Sequence, residues 1–222
     1  MVLGATGGIG AALVATLEAE RRWRRVIGLS RRGDPAVDIT EEASLAAAAS
    51  WLAGEAPDLA LVVVATGFLH DDRFQPEKAM RQLDPGHLAT SFAVNAIGPA
   101  LAMKHLLPRL RRDAPAVFAA LSARVGSIGD NRLGGWWSYR ASKAALNQLV
   151  RTAAVELRRS HPAATIVAVH PGTVDSGLSS PFSKAGLEVQ APEAAARRIL
   201  DVLAGPLESG GFYDHKGRPV AW

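Results

Sequence analysis

No cysteine occurs in the 222 residues. Its absence excludes disulfides and thiolate chemistry and is compatible with a reducing compartment. No apolar run approaches the ~20 residues of a membrane span, and no signal-peptide pattern precedes the first glycines. A soluble, cytoplasmic protein without a membrane partner is expected. The six histidines show no metal-ligand spacing. His70-Asp71-Asp72 is the one tempting cluster, and a solvated loop explains it better, so no metal is expected. The formal charge is +4, but the basic residues are dispersed: Arg21-Arg22, Arg24-Arg25, Arg111-Arg112 and Arg158-Arg159 close helical runs. Cations there complement the helix dipole, and no nucleic-acid partner follows. Internal repeats beyond two βαβ halves, low-complexity tracts and linkers are also lacking.

What the chain does have is alternation. Apolar strand-like runs at Met1–Leu3, Arg25–Leu29, Leu59–Ala65, Ala116–Leu121, Thr165–Val169 and Gly211–Tyr213 are separated by helical runs. The helices are expected near Ile9–Glu20, Glu41–Ala53, His87–Arg111, Tyr139–Arg159 and Pro192–Leu203. Leu61-Val62-Val63-Val64 reads as a strand buried on both faces. Strand–helix alternation with short loops predicts an α/β fold, a doubly wound and mostly parallel sheet with helices on both faces. At this length one domain over 1–222 suffices. Ligands collect at the carboxyl ends of such strands. Only three residues precede Gly4, so either the first strand is short or the natural chain begins upstream.

Gly4-Ala5-Thr6-Gly7-Gly8-Ile9-Gly10 lies between the first strand and the first helix. A helix start offers free N–H groups and the positive end of a dipole to a pyrophosphate, and the glycines permit close approach of backbone to phosphate. On a later helix, Tyr139 and Lys143 stand four apart and share one face. A free phenol titrates at about 10, and a neighbouring ammonium brings it toward the working range of a proton donor.

The glycine spacing Gly-x-x-x-Gly-x-Gly, combined with Tyr139 and Lys143, resembles the short-chain dehydrogenase/reductase family. Val94-Asn95-Ala96-Ile97-Gly98-Pro99, Asp38-Ile39-Thr40 and His170-Pro171-Gly172-Thr173-Val174 extend the resemblance in the family's order over nearly the whole chain. Gly126-Ser127-Ile128-Gly129-Asp130-Asn131 and Gly134-Gly135 look like the small carbonyl reductases related to sniffer and to the bacterial C-factor. The resemblance implies that Tyr139 is the general acid, that Lys143 lowers its pKa and holds the nicotinamide ribose, and that Asn95 positions Lys143 through a water. A helix-interior Asn95 satisfied by backbone is the plainer alternative. The resemblance also places the dinucleotide on Gly4, Thr6, Gly8, Ile9 and Gly10, on Asp38 and Ile39 at the adenine, on Ala65, Thr66 and Gly67, and on Pro171, Gly172 and Thr173 beside the nicotinamide. A homodimer or homotetramer is the expected assembly.

The second strand ends at Ser30-Arg31-Arg32 with no Asp or Glu. A carboxylate there would repel a 2′-phosphate; Ser30 and Arg31, with Arg32 beside them, donate to it. NADP(H) is favoured over NAD(H). Two departures stand out. Ala123 occupies the usual serine position, leaving Ser122, Ser127 or neither as its replacement, with Ser122 slightly favoured. Ala65-Thr66-Gly67 stands where Asn-Ala-Gly is usual. A substrate lid is expected near 173–190, with Leu178, Phe182 and Trp136-Trp137 as candidate apolar walls. Two functional readings follow: an NADPH-dependent reductase of a small, apolar carbonyl substrate, or a nucleotide-sensing or signalling protein of the same fold with little turnover.

Overall fold

In a computed structural model, which describes residues 1–179 and 188–222, six parallel strands form one sheet in the order β2-β1-β3-β4-β5-β8. They are β1 (Val2–Leu3), β2 (Gly28–Leu29), β3 (Leu61–Val64), β4 (Ala116–Leu121), β5 (Ala164–His170) and β8 (Phe212–Asp214). A separate pair, β6 (Thr173–Val174) and β7 (Val189–Gln190), was not anticipated from the sequence and lies at the two ends of the stretch where a lid is expected. The longer strands split their side chains between two helical layers, as period-two geometry requires. Val62, Val64, Phe118, Ala120 and Ile166 join the core under α2 (Glu42–Glu55), α4 (Gly98–Leu106) and α5 (Trp137–Leu157). Val63, Ala119, Leu121 and Val167 join the core under α1 (Gly8–Ala19) and α6 (Pro192–Ala204).

Local chemistry explains the elements. The alanine-rich α2 combines high helix propensity with a leucine stripe at Leu45 and Leu52. α6 opens with Pro192 in its first turn, where a missing N–H costs nothing. The free edge of β8 is covered by the terminal segment, with Val220 N–H donating to Phe212 O at 2.8 Å and Asp214 N–H to Arg218 O at 2.9 Å. No helix among the described residues is long and apolar enough to cross a membrane.

The order reverses between β1 and β3, because the chain leaves β1 for β2 on one side and returns to β3 on the other. In open sheets of this kind the crevice that takes a ligand lies outside the carboxyl ends of the strands at such a switch point. The predicted helix over 87–111 is interrupted: α3 (Pro85–Phe92) and α4 are joined by a π-helical turn, Ala93–Ile97. Periodicity does not show such a turn, because one extra residue per turn leaves the apolar pattern nearly intact.

Gly10 packs against the glycine turn so closely that a Cβ would sit 2.1 Å from Gly4 O. Gly54, within α2, has nothing within 4 Å of such a Cβ. Opposite outcomes are expected. Gly10→Ala should destabilise by about 1–3 kcal/mol through backbone displacement, whereas Gly54→Ala should stabilise by roughly 0.5–1 kcal/mol. Urea midpoints of the two variants check this; equal shifts would contradict the close approach.

Candidate active site

α5 carries the central pair. Tyr139 is 7% exposed and Lys143 is 2% exposed. Lys143 Nζ lies 5.8 Å from the Tyr139 ring centroid and donates to Leu121 O, at the end of β4, at 2.9 Å. The turn Arg124–Gly126 presses on this helix, and a Cβ on Gly126 would stand 2.8 Å from Lys143 Cβ. This packing removes both groups from water. Burial pushes the Tyr139 phenol up and lowers the Lys143 amine to about 7. In the protein alone, desolvation therefore outweighs the attraction between ammonium and phenolate. The phenol holds its proton.

Asn95 sits in the π-helical turn, fully buried. Its Nδ2 donates to Phe68 O at 2.7 Å and to Ser142 Oγ at 3.1 Å, while its Oδ1 accepts from Phe68 N–H at 2.8 Å. Both amide hydrogens are committed, and one lone pair of Oδ1 is left over. Asn95 thus ties the loop after β3 to α5 one turn from Tyr139. Ser142 Oγ completes the tie by donating to Tyr139 O at 2.9 Å.

Ser122 and Ser127 are both buried. Ala123 keeps an extended backbone (φ −144°, ψ 144°), so no bulge re-aims Ser122. Its side chain stays on the face of Phe118 and Ala120, and its Oγ donates to Asn147 Oδ1 at 2.7 Å, one helical turn beyond Lys143. Ser127 Oγ accepts from Asp130 N–H at 3.1 Å. Neither hydroxyl is hydrogen-bonded to Tyr139 among the described residues.

The crevice fits a dinucleotide. α1 begins at Gly8 after an N-cap glycine, Gly7, that has no side chain to cap it, and its first turn holds no acidic residue, which suits its positive end to phosphate. The turn from Gly4 (φ 85°) brings Thr6, Gly8, Ile9 and Gly10 to that end. Across the crevice Thr66 has a buried Oγ1 without a partner among the described residues, and its Cγ2 lies 3.1 Å from where a Gly4 side chain would begin. Ala65 N–H donates to Leu3 O at 2.8 Å, placing Gly67 at the mouth beside Asn95. At the end of β2, Ser30 is buried while Arg31 and Arg32 are exposed. Asp38 Oδ1 accepts from Thr40 Oγ1 at 2.7 Å and Thr40 N–H at 2.9 Å, which holds its carboxyl below the usual range. Ile39 packs against Gly98.

Pro171 O accepts from Gln190 Nε2 at 3.1 Å, and Thr173 opens β6. Ser176, which sequence reasoning placed only in the lid, lies against α1: its Cβ is 3.3 Å from where a Gly8 side chain would begin, and Leu178 similarly faces Gly67. Only the three-dimensional path reveals this contact. Trp136 stands edge-on to Tyr139 at 6.2 Å, whereas Trp137 is 42% exposed. Phe182 and the middle of the expected lid lie outside the described residues.

A parallel doubly wound sheet, a glycine turn at its switch point and a buried Tyr–Lys pair at its carboxyl edge define a short-chain dehydrogenase/reductase. Residues 6–203 match the family described as enoyl-(acyl carrier protein) reductase, and the chain belongs to the short-chain dehydrogenase/reductase family. It is 36% identical over 146 residues to the C-signal protein of Myxococcus xanthus, covering 65% of this chain and 84% of that protein. It is 30% identical over 191 residues to 1-hydroxy-2-glutathionyl-2-methyl-3-butene dehydrogenase of Rhodococcus sp. strain AD45, covering 85% of this chain and 80% of that one. Among solved structures, the NADPH-bound carbonyl reductase from chicken fatty liver superposes with a TM-score of 0.85 at 25% identity, over 100% of this chain and 98% of that chain. The carbonyl reductase Sniffer of Drosophila melanogaster gives 0.82 at 20% identity over the same shares, a likeness of fold. The protein is an NAD(P)-dependent oxidoreductase of this family.

The lowered amine has a measurable consequence. Lys143 titrates at about 7 in the fold against 10.5 when free, so the folded state binds fewer protons than the unfolded chain between those values. Its contribution to stability is present above the unfolded value and is lost as pH falls toward 7. Between about pH 7.5 and 9.5, this group should add on the order of 1 kcal/mol of stability per pH unit. Urea unfolding without cofactor should show that rise in the parent and a flatter profile in Lys143→Met. Parallel profiles would contradict the buried amine.

Proposed function

We propose that the protein reduces a small, apolar aldehyde or ketone with NADPH. The observation that carries this reading is the burial of Tyr139 and Lys143 together on one face of α5, at the strand ends where the glycine turn opens. NADPH, when bound, supplies the hydride to the carbonyl carbon. The Tyr139 hydroxyl donates its proton to the carbonyl oxygen, and burial keeps that proton in place until then. Lys143, protonated at or below neutral pH, holds the ribose and favours the developing phenolate. Asn95 fixes the loop after β3 against α5, which preserves the geometry on which the transfer depends. Ser30 and Arg31, with Arg32 beside them, receive the 2′-phosphate, supported by exposed arginines at the strand end and by NADP-bound relatives of the same fold. Gly4, Thr6, Gly8, Ile9 and Gly10 take the pyrophosphate, Asp38 and Ile39 the adenine, and Pro171, Gly172 and Thr173 the nicotinamide.

Ser122 is turned to Asn147, which supports a site that works without the family serine: Ser122 then orders Asn147 and α5 instead of meeting the substrate. Loss of one oxyanion donor costs a few kcal/mol of transition-state stabilisation. That same observation, joined to the likeness to C-signal, favours a second reading, a low-turnover nucleotide-sensing or signalling protein. A cytoplasmic homodimer or homotetramer belongs to the first reading.

Turnover of a panel of small aldehydes and ketones, followed by loss of NADPH absorbance, separates the two. The parent should turn over, and Tyr139→Phe should lower kcat by roughly 10²–10⁴-fold with NADPH affinity preserved. A parent that binds NADPH yet reduces nothing in the panel would favour signalling. An active Tyr139→Phe would place the proton donor elsewhere.

A further inference from the structure

α5 starts abruptly and without a cap of its own. Trp136, the residue before it, is held in the left-handed region at φ 51°, contributes no side-chain cap, and the first turn contains no acidic residue. A bulky residue in that region is strained unless the surroundings over-determine it. The surroundings here are Glu77, about 60 residues earlier and only 2% exposed. Its main-chain oxygen accepts from Trp136 N–H at 2.5 Å. Its Oε2 accepts from Ser138 N–H at 3.2 Å, and its Oε1 accepts from Ser138 Oγ. A carboxylate on the second N–H of a helix does what a capping side chain does, and it complements the dipole as well. Tyr139 is the next residue.

Glu77 is itself fixed. His87 Nδ1 lies 3.1 Å from Glu77 Oε1, and both side chains are buried to within 2%. The His87 ring stacks on Phe74 with centroids 5.0 Å apart and meets Phe68 edge-on at 5.9 Å. The Phe68 backbone is the one that Asn95 grips. Two clips therefore bracket Tyr139 on α5, Glu77 at Ser138 and Asn95 at Ser142, and they are joined behind the helix through Phe68 and His87.

We infer that Glu77, braced by His87, is a positioning residue for Tyr139: it caps α5 from a distant segment and sets the direction of the phenol at the reacting carbonyl. The inference rests on Tyr139 being the proton donor in carbonyl reduction, so Tyr139→Phe is measured alongside. Misplacement of a reacting group by about 1 Å costs up to roughly 10²-fold in rate. Glu77→Leu should therefore lower kcat at saturating NADPH by about 10- to 100-fold, with NADPH dissociation constant and carbonyl KM within about twofold. Glu77→Gln keeps an acceptor for Ser138 N–H and should restore most of the rate. If Glu77→Leu does not fold, Ser138→Ala removes one donor alone and should still slow kcat by several-fold without loosening NADPH. Unchanged kcat in folded Glu77→Leu or in Ser138→Ala would overturn the inference. So would a loss of NADPH affinity matching the loss of rate, which marks general destabilisation, or a Glu77→Gln as impaired as Glu77→Leu. An active Tyr139→Phe would sink the mechanism; an inactive Tyr139→Phe beside a fully active Glu77→Leu would sink only the positioning role.

Discussion

The burial of Lys143 beneath the end of β4 is the constraint on which the rest of the site depends. An amine with a four-carbon stem ordinarily reaches water, and here it cannot. The Arg124–Gly126 turn lies against its Cβ, and its Nζ is directed to Leu121 O. The same packing that closes off Lys143 brings Tyr139 to the strand ends and buries it as well. Desolvation shifts both groups toward their neutral forms: the Tyr139 phenol keeps its proton, and the Lys143 amine is brought down to about 7. A protein that kept this packing for stability alone would do better with an apolar residue, since a buried amine opposes folding as pH falls.

The fold supplies the leverage. Parallel strands with alternating faces fix α5 on one layer and α1 on the other, so the Tyr–Lys pair and the glycine turn both come to the carboxyl edge without sharing any local sequence. The π-helical turn at Ala93–Ile97 then presents Asn95 to the loop after β3 and to Ser142 together. A regular helix would direct that side chain elsewhere by a fraction of a turn. Ser122, held by Asn147, extends the polar thread along α5 away from the phenol.

Much of this was legible in the residues. The continuous apolar run Leu61–Val64 gave away a strand buried on both faces, and the glycine turn between apolar strand and helix gave away the crevice. Tyr139 and Lys143, four apart on a Gly- and Pro-free run, could be placed on one helix face from spacing alone. Other features were not readable. The π-helical turn hides because apolar periodicity survives it, and the β6–β7 pair is too short to leave a pattern. The orientation of Ser122 hung on whether the strand bulged at Ala123, which composition does not decide. Nothing in the residues around Glu77 singles it out. Its burial and its reach to Ser138 come from the chain path between β3 and α3, a long-range pairing with no local signature. The direction of the phenol shift also differs from expectation: spacing showed a cation near Tyr139 but not that both groups would be sealed from water.

The central claim is that the fold alone, before any ligand binds, holds Lys143 as a buried amine near neutrality. A pH titration of the Lys143 Nζ resonance by NMR in the cofactor-free protein, assigned by comparison with Lys143→Met, tests it directly. The account predicts a midpoint of about 7. A midpoint near that of a free lysine, at about 10.4, would show an amine in contact with water and would contradict it.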